Sequence, residues 1–254
     1  MTPFDLTGRK AFVTGASRGI GQAISLALAQ AGADLALVAR GEEGLAATAE
    51  QITDCGREAH IIAADVTRQD SVEDAIAAAI RALGHVDIVV NNAGGSNFAV
   101  PFLDLRLAGW DKLIRLNLDS AMYVCHAIGD HLVGRGKGSV INVASVAGLI
   151  GSPFLAPYGA AKAGLISLTK TLAVEWAARG VRVNALCPGW TATDLNRNLW
   201  DDDTAGKATV ATVPMQRWGR AEEMTGPAVF LASDASSYMT GQVLVVDGGQ
   251  TALS

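Results

Sequence analysis

Ser145, Tyr158 and Lys162 stand at a spacing that can move a proton to or from an oxygen. Residues four apart share one face of a helix, so the Lys162 ammonium can lie beside the Tyr158 phenol. A free phenol ionises only near pH ~10, and a neighbouring cation favours its charged form. The expectation is that Lys162 draws Tyr158 toward the range where it can give and take protons. Ser145, at the end of an apolar strand-like run, would add a neutral hydroxyl to hold an oxygen placed between itself and Tyr158. That is carbonyl and alcohol chemistry. By itself, Tyr-x-x-x-Lys also fits a half-exposed helix face with a snorkelling lysine, so the reading needs a redox partner elsewhere in the chain.

The elements that must position these residues can be read from patterning. Short apolar runs at Ala11 to Thr14, Leu35 to Ala39, His60 to Ala63, Ile88 to Asn91, Ser139 to Val143, Val181 to Leu186 and Val243 to Val246 read as strands. Between them lie stretches of helical periodicity, among them Ile20 to Gln30, Gly44 to Thr53, Val72 to Leu83, Trp110 to Val133 and a long helix starting near Pro157. Strands that are apolar throughout are buried on both faces. This predicts an α/β, doubly wound parallel sheet of about seven strands with helices on both faces. One domain is expected over residues 1–254, with the polar stretch Thr191 to Arg217 as a segment covering the substrate.

Immediately after the first strand comes Thr14-Gly15-Ala16-Ser17-Arg18-Gly19-Ile20-Gly21. Glycines allow close backbone approach, and a helix N-terminus offers unpaired N–H groups to a pyrophosphate. A dinucleotide is therefore expected over Gly15, Ser17, Arg18, Gly19, Ile20 and Gly21. An NAD site normally places an acid at the end of the second strand, whereas this chain has Arg40 there. A guanidinium can bind a 2′-phosphate that a carboxylate would repel, and Arg18 projects toward the same corner. NADP(H) is predicted over NAD(H). The same segment also satisfies Gly-x-Ser-x-Gly around Ser17, a hydrolase elbow. Only fourteen residues precede Gly15, however, and no histidine follows His131 to complete a triad.

Composition narrows the partners. The chain has 254 residues, half of them hydrophobic, and a formal net charge of −5. Charged residues interrupt every apolar run before the ~20 needed to span a bilayer, and Met1 to Lys10 has no apolar stretch of signal-peptide type. A cytoplasmic enzyme is expected, with no membrane partner. The acidic balance and lack of a basic run argue against nucleic acid. The histidines form no His-Glu-x-x-His and no cluster with cysteines, so no metal is predicted. Cys55, Cys125 and Cys187 are expected to be buried, inert thiols.

Taken together, the motifs resemble the short-chain dehydrogenase/reductase family from Lys10 to Gly249: Thr14-Gly-Ala-Ser-Arg-Gly-Ile-Gly21, Asn91-Asn-Ala-Gly94, Asn117, Ser145, Tyr158-x-x-x-Lys162, and Pro188-Gly189 followed by Thr193. The resemblance implies a Rossmann fold and hydride transfer between a nicotinamide cofactor and a small carbonyl or alcohol. In it Tyr158 would be the acid or base, Ser145 would hold the oxygen, Lys162 would bind the nicotinamide ribose, and Asn117 would hold a relay water. Asp65 would accept from the adenine amine, with Val66 beside it. Asn92, Ala93 and Gly94 would pass close to the adenosine ribose. Gly189, Thr191 and Thr193 would meet the nicotinamide carboxamide, although the threonines would equally serve as helix caps. Ser145, Phe154 and Trp190 would face the substrate, with Arg197 placed to approach an anionic group. The C-terminal run Tyr238 to Gly249 is similar to the segment through which many members form homotetramers. The members it resembles most are 3-oxoacyl carrier-protein reductases and gluconate or polyol dehydrogenases. A dinucleotide-binding sensor without turnover is the rival function.

Overall fold

The computed structural model describes residues 2–253. Along the chain run β1 (Lys10–Thr14), α1 (Gly19–Gln30), β2 (Asp34–Ala39), α2 (Glu42–Asp54), β3 (Ala59–Ala63), α3 (Gln69–Leu83) and β4 (Ile88–Asn91). They are followed by α4 (Leu107–Ile114), α5 (Ser120–Arg135), β5 (Gly138–Val143), α6 (Ala156–Trp176) and β6 (Val181–Pro188). The last third holds β7 (Thr191–Ala192), α7 (Arg197–Trp200), α8 (Asp203–Val210), β8 (Gly219–Arg220), α9 (Thr225–Ala232) and β9 (Val243–Val246).

Seven strands form one parallel sheet in the order β3-β2-β1-β4-β5-β6-β9. The order reverses between β1 and β4, which opens a crevice at their carboxyl ends. Because side chains alternate along a strand, neighbours feed opposite cores. Val13 joins Ile24, Leu28, Leu45 and Leu231 on the side of α1, α2 and α9. Phe12 joins Val72, Ile76, Val124 and Ile128 on the side of α3 and α5. The fold is a doubly wound Rossmann sheet with helices on both faces.

Several expectations need correction. The edge strands are not buried on both faces: β3 is only partly covered, with Ile61 exposed, and every residue of β9 is half-buried. Apolar sequence does not distinguish an edge from the centre. The helix expected over Trp110 to Val133 is interrupted by a turn of π-helix at Arg115–Asp119. Thr191 to Arg217, read from the sequence only as a polar stretch, has structure of its own: β7 pairs with β8, and α7 and α8 lie between them. Cys125 and Cys187 are buried as expected, whereas Cys55 is exposed because it caps the solvent end of α2.

Candidate active site

The first turn after β1 is built by close packing. A Cβ on Gly21 would overlap the Gly15 carbonyl oxygen and the Asn92 side chain, so only glycine lets α1 begin this near to the strand end. Thr14 and Asn92 lock the turn to β4. The Thr14 hydroxyl accepts from the N–H groups of Asn92 and Ala93, both at 3.0 Å. Asn92 Nδ2 donates back to the carbonyls of Thr14 (3.1 Å) and Gly15 (3.2 Å). Asn92 therefore commits its side chain and its N–H to the turn, leaving its carbonyl to meet a ligand. The clamping role of Thr14, which opens the glycine motif, was not anticipated, because it depends on the approach of Asn92 and Ala93 from β4.

α1 leaves its first N–H groups without a side-chain cap and has no acid in its first turn. Such an end attracts an anion. Arg18 and Arg40 are exposed, and neither is committed to an ion pair among the described residues. Asp65 lies across from Arg40. Burial alone would raise its carboxyl, but hydrogen bonds from the Thr67 hydroxyl and N–H, with the charges of Arg40 and Arg68, hold it below the usual carboxylate value. Val66 is buried in the α3-side core, so only its backbone is offered outward. Uncapped amides and two uncommitted guanidiniums, one of them Arg40 just past the end of β2, fit an adenine dinucleotide bearing a 2′-phosphate. Ser17 faces Gly44 of α2, and no histidine among the described residues hydrogen-bonds it.

The catalytic candidates converge from three elements. Ser145 follows β5 in extended conformation and caps the next short turn, accepting from Ala147 N–H at 3.2 Å. Tyr158 lies in the first turn of α6, and Lys162 one turn further along. Lys162 is 3% exposed, donates to the Val143 carbonyl at 2.8 Å, and lies 5.7 Å from the centre of the Tyr158 ring. Asn117 sits in the π turn, where its side chain holds Gly95 on both sides. Its Oδ1 accepts from Gly95 N–H (2.7 Å), while Nδ2 donates to the carbonyls of Gly95 and Leu113, both at 3.0 Å. A Cβ on Gly94 would stand 2.7 Å from Asn117 Oδ1 and 3.1 Å from Lys162 Nζ, so these two groups meet over one peptide.

The electrostatics differ from the expectation in one respect. Burial pushes the Tyr158 phenol up, opposed by the Ser145 hydroxyl. Lys162 does not pull it down in the protein alone, and its own burial lowers the ammonium to about 8. Burial keeps the phenol protonated at neutral pH. Cys187 lies among these groups, fully buried, and burial raises its thiol to about 11. It packs as a small inert side chain.

Beyond β6, Gly189 lies so close to the end of β9 that a Cβ would stand 2.7 Å from Asp247. Thr191 donates to the Gly189 carbonyl at 3.1 Å. Thr193 does serve as a cap: its N–H (2.9 Å) and hydroxyl (3.1 Å) reach Asn196 Oδ1, and its methyl lies over Gly19. Asn196, which also donates to the Thr191 carbonyl at 3.0 Å, was missed, since one asparagine in a polar stretch gives no cue. Trp190 meets Trp218 edge-on at 5.5 Å. Arg197 is committed to Asp194 at 2.5 Å and to the Trp200 ring at 5.8 Å, on the side facing Gly19 and Gln22.

Comparisons with known proteins agree with this geometry. The family model described as enoyl-(acyl carrier protein) reductase matches residues 15–251. A gluconate 5-dehydrogenase of Gluconobacter oxydans is 40% identical over 248 residues, covering 98% of this chain and 96% of that protein. A 3-oxoacyl-[acyl-carrier-protein] reductase of Synechocystis sp. is 40% identical over 246 residues, covering 96% and 97%. The crystal structure of a gluconate 5-dehydrogenase from Burkholderia cenocepacia, in complex with NADP and tartrate, superposes with a TM-score of 0.93 at 39% identity, covering 98% of each chain. Matches of this extent, over a sheet of this order with these motifs at its carboxyl edge, place the chain in the short-chain dehydrogenase/reductase family of oxidoreductases.

Proposed function

We propose that this chain is an NADP(H)-dependent oxidoreductase that interconverts a carbonyl and a secondary alcohol, with Tyr158 as acid and base. The observation that carries the reading is the buried Lys162 beside Tyr158, with Ser145 across from them, at the crevice where the sheet order reverses. The cofactor, when bound, supplies or accepts the hydride. In reduction Tyr158 gives its hydroxyl proton to the carbonyl oxygen, and in oxidation it takes the proton from the alcohol. Ser145 holds that oxygen by a hydrogen bond. Lys162 would bind the nicotinamide ribose and, with Asn117 beside it, would pass a proton back to the Tyr158 oxygen through a water.

Gly15, Ser17, Arg18, Gly19, Ile20 and Gly21 would cradle the pyrophosphate, and Arg18 with Arg40 would bind the 2′-phosphate. Asp65 keeps an oxygen for the adenine amine, with the backbone of Val66, Asn92, Ala93 and Gly94 along the adenosine. Gly189, Thr191 and Thr193 would meet the carboxamide end, and Phe154 and Trp190 the substrate. NADP in the Burkholderia relative supports the cofactor choice. We further propose one domain throughout, working in the cytoplasm: among the described residues no helix is long and apolar enough to cross a membrane. Assembly as a homotetramer is proposed from the half-buried apolar edge strand β9.

The test is nicotinamide absorbance with a panel of ketones, aldehydes and alcohols and both cofactors. Wild-type protein should turn over with NADPH, and Tyr158→Phe should lose at least about a hundredfold, the scale of a missing general acid. Arg40→Asp should weaken NADPH binding far more than NADH binding. Equal losses would remove the cofactor preference, and full activity in Tyr158→Phe would remove the acid/base assignment. Tight NADPH binding without turnover of any carbonyl would make the chain a sensor.

A further inference from the structure

Phe154 holds a backbone conformation that its side chain disfavours, yet its ring gains little burial from it. Its φ is +68°, in the left-handed region, and the residue is 58% exposed. Bulky residues are rare there, and an outlier of this kind points toward function when packing does not account for it. Its place in the fold is specific. Phe154 lies in the loop between Ser145 and Tyr158, and its carbonyl accepts from Val100 N–H at 3.0 Å. The loop Gly95 to Val100 is thereby tied at one end to Phe154. Its other end, Gly95, is held by Asn117 and lies directly under Leu195 of the covering segment.

The two loops at this mouth carry no charge. Neither Gly95 to Val100 nor Ser145 to Leu155 contains an Asp, Glu, Lys, Arg or His. The covering turn brings Asp194, which is already paired with Arg197 on the side facing Gly19. Three apolar side chains stand half-open around the mouth: Leu149 (43% exposed), Leu195 (45%) and Phe154 (58%). A carboxylate entering here would meet no cation on either loop, whereas an apolar group would gain by leaving water.

We infer that Phe154 is a specificity-determining residue, and that the site takes an uncharged ketone with an apolar ring or chain beside the carbonyl, in preference to a keto acid. This rests on the carbonyl-reducing function proposed above. The strained turn presents an aromatic wall to the substrate's apolar side while Tyr158 and Ser145 meet its oxygen.

The experiment compares wild type, Phe154→Gly and Phe154→Leu with NADPH against 4-tert-butylcyclohexanone, acetone and 5-ketogluconate, together with thermal melting. Wild type should show a higher kcat/KM for the cyclohexanone than for the keto acid. Phe154→Gly should reduce the cyclohexanone-to-acetone ratio by about tenfold or more through KM, the scale of losing one apolar wall. Its melting temperature should hold or rise, because glycine adopts a φ of +68° without strain. Phe154→Leu should keep most of the ratio while melting lower. A wild-type preference for 5-ketogluconate, an unchanged ratio in Phe154→Gly, or a fall in its melting temperature would overturn the inference, the last by making Phe154 a packing residue. Absence of wild-type turnover with every carbonyl would instead overturn the underlying function.

Discussion

At the scale of one residue, the role proposed for Lys162 carries a cost in stability. Its ammonium is buried, and burial lowers it from 10.5 to about 8, which at neutral pH amounts to roughly 3 kcal/mol against folding. Between these two values the unfolded chain holds the proton and the folded chain does not, so stability climbs as pH rises through that window. Lys162→Met should therefore be more stable than wild type at pH 7, lack this climb between pH 8 and 10, and lose carbonyl reduction. Denaturant unfolding at both pH values checks it, and a parallel pH dependence in the two proteins would refute it. The residue types of the trio were legible from spacing alone. Their ionisation was not, because desolvation depends on what the fold stacks around them.

At the scale of elements, the π turn at Arg115–Asp119 is the feature that periodicity concealed. A helical apolar pattern over Trp110 to Val133 is compatible with an unbroken helix, yet the turn seats Asn117 where its amide takes both the N–H and the carbonyl of Gly95. Asn117→Ala deletes these bonds and the one to Leu113. It should reduce stability by about 1–3 kcal/mol and lower kcat more than tenfold, while Asn117→Asp, which keeps the acceptor for Gly95 N–H, should lie between. Steady-state kinetics with denaturant unfolding decide it; equal kcat in Asn117→Ala and wild type would show that the amide positions nothing. The helices within Thr191 to Arg217 were likewise hidden in the sequence. Asp202 caps α8 by accepting from Thr204 and Ala205 N–H, but a run of three aspartates hides which one is the cap.

Across the whole molecule, charge gathers at the end of the sheet opposite the site. Asp34 bonds Lys10 and Arg57, and Asp87 bonds His85 and Arg135. Nearby, His131 Nε2 accepts the Val86 N–H at 3.1 Å, which requires a neutral ring. Burial and then the Arg135 charge lower its pKa below the usual 6.5. A depressed folded value means that the contribution is complete above pH 6.5 and is lost as pH falls through the lower folded value. His131→Gln keeps an acceptor that does not titrate. It should flatten the acid side of a melting-temperature profile between pH 7 and 5, and an identical slope to wild type would show that the carboxylates alone set it. These groups hold the amino ends of the strands while the carboxyl ends remain open for chemistry.

The sequence by itself determined the parallel sheet, the glycine turn, the arginine at the end of β2 and the spacing of Ser145, Tyr158 and Lys162, because each is a local pattern of period, punctuation or residue type. Tertiary structure decided the rest. Which strands lie at the edge, that Asn92 and Thr14 clamp the turn, that Arg197 lies beside Gly19 and Gln22 of α1, and that Phe154 keeps a strained backbone all depend on contacts between residues far apart in the chain. Burial and electrostatic fields are properties of that assembled environment, and no window of sequence contains them.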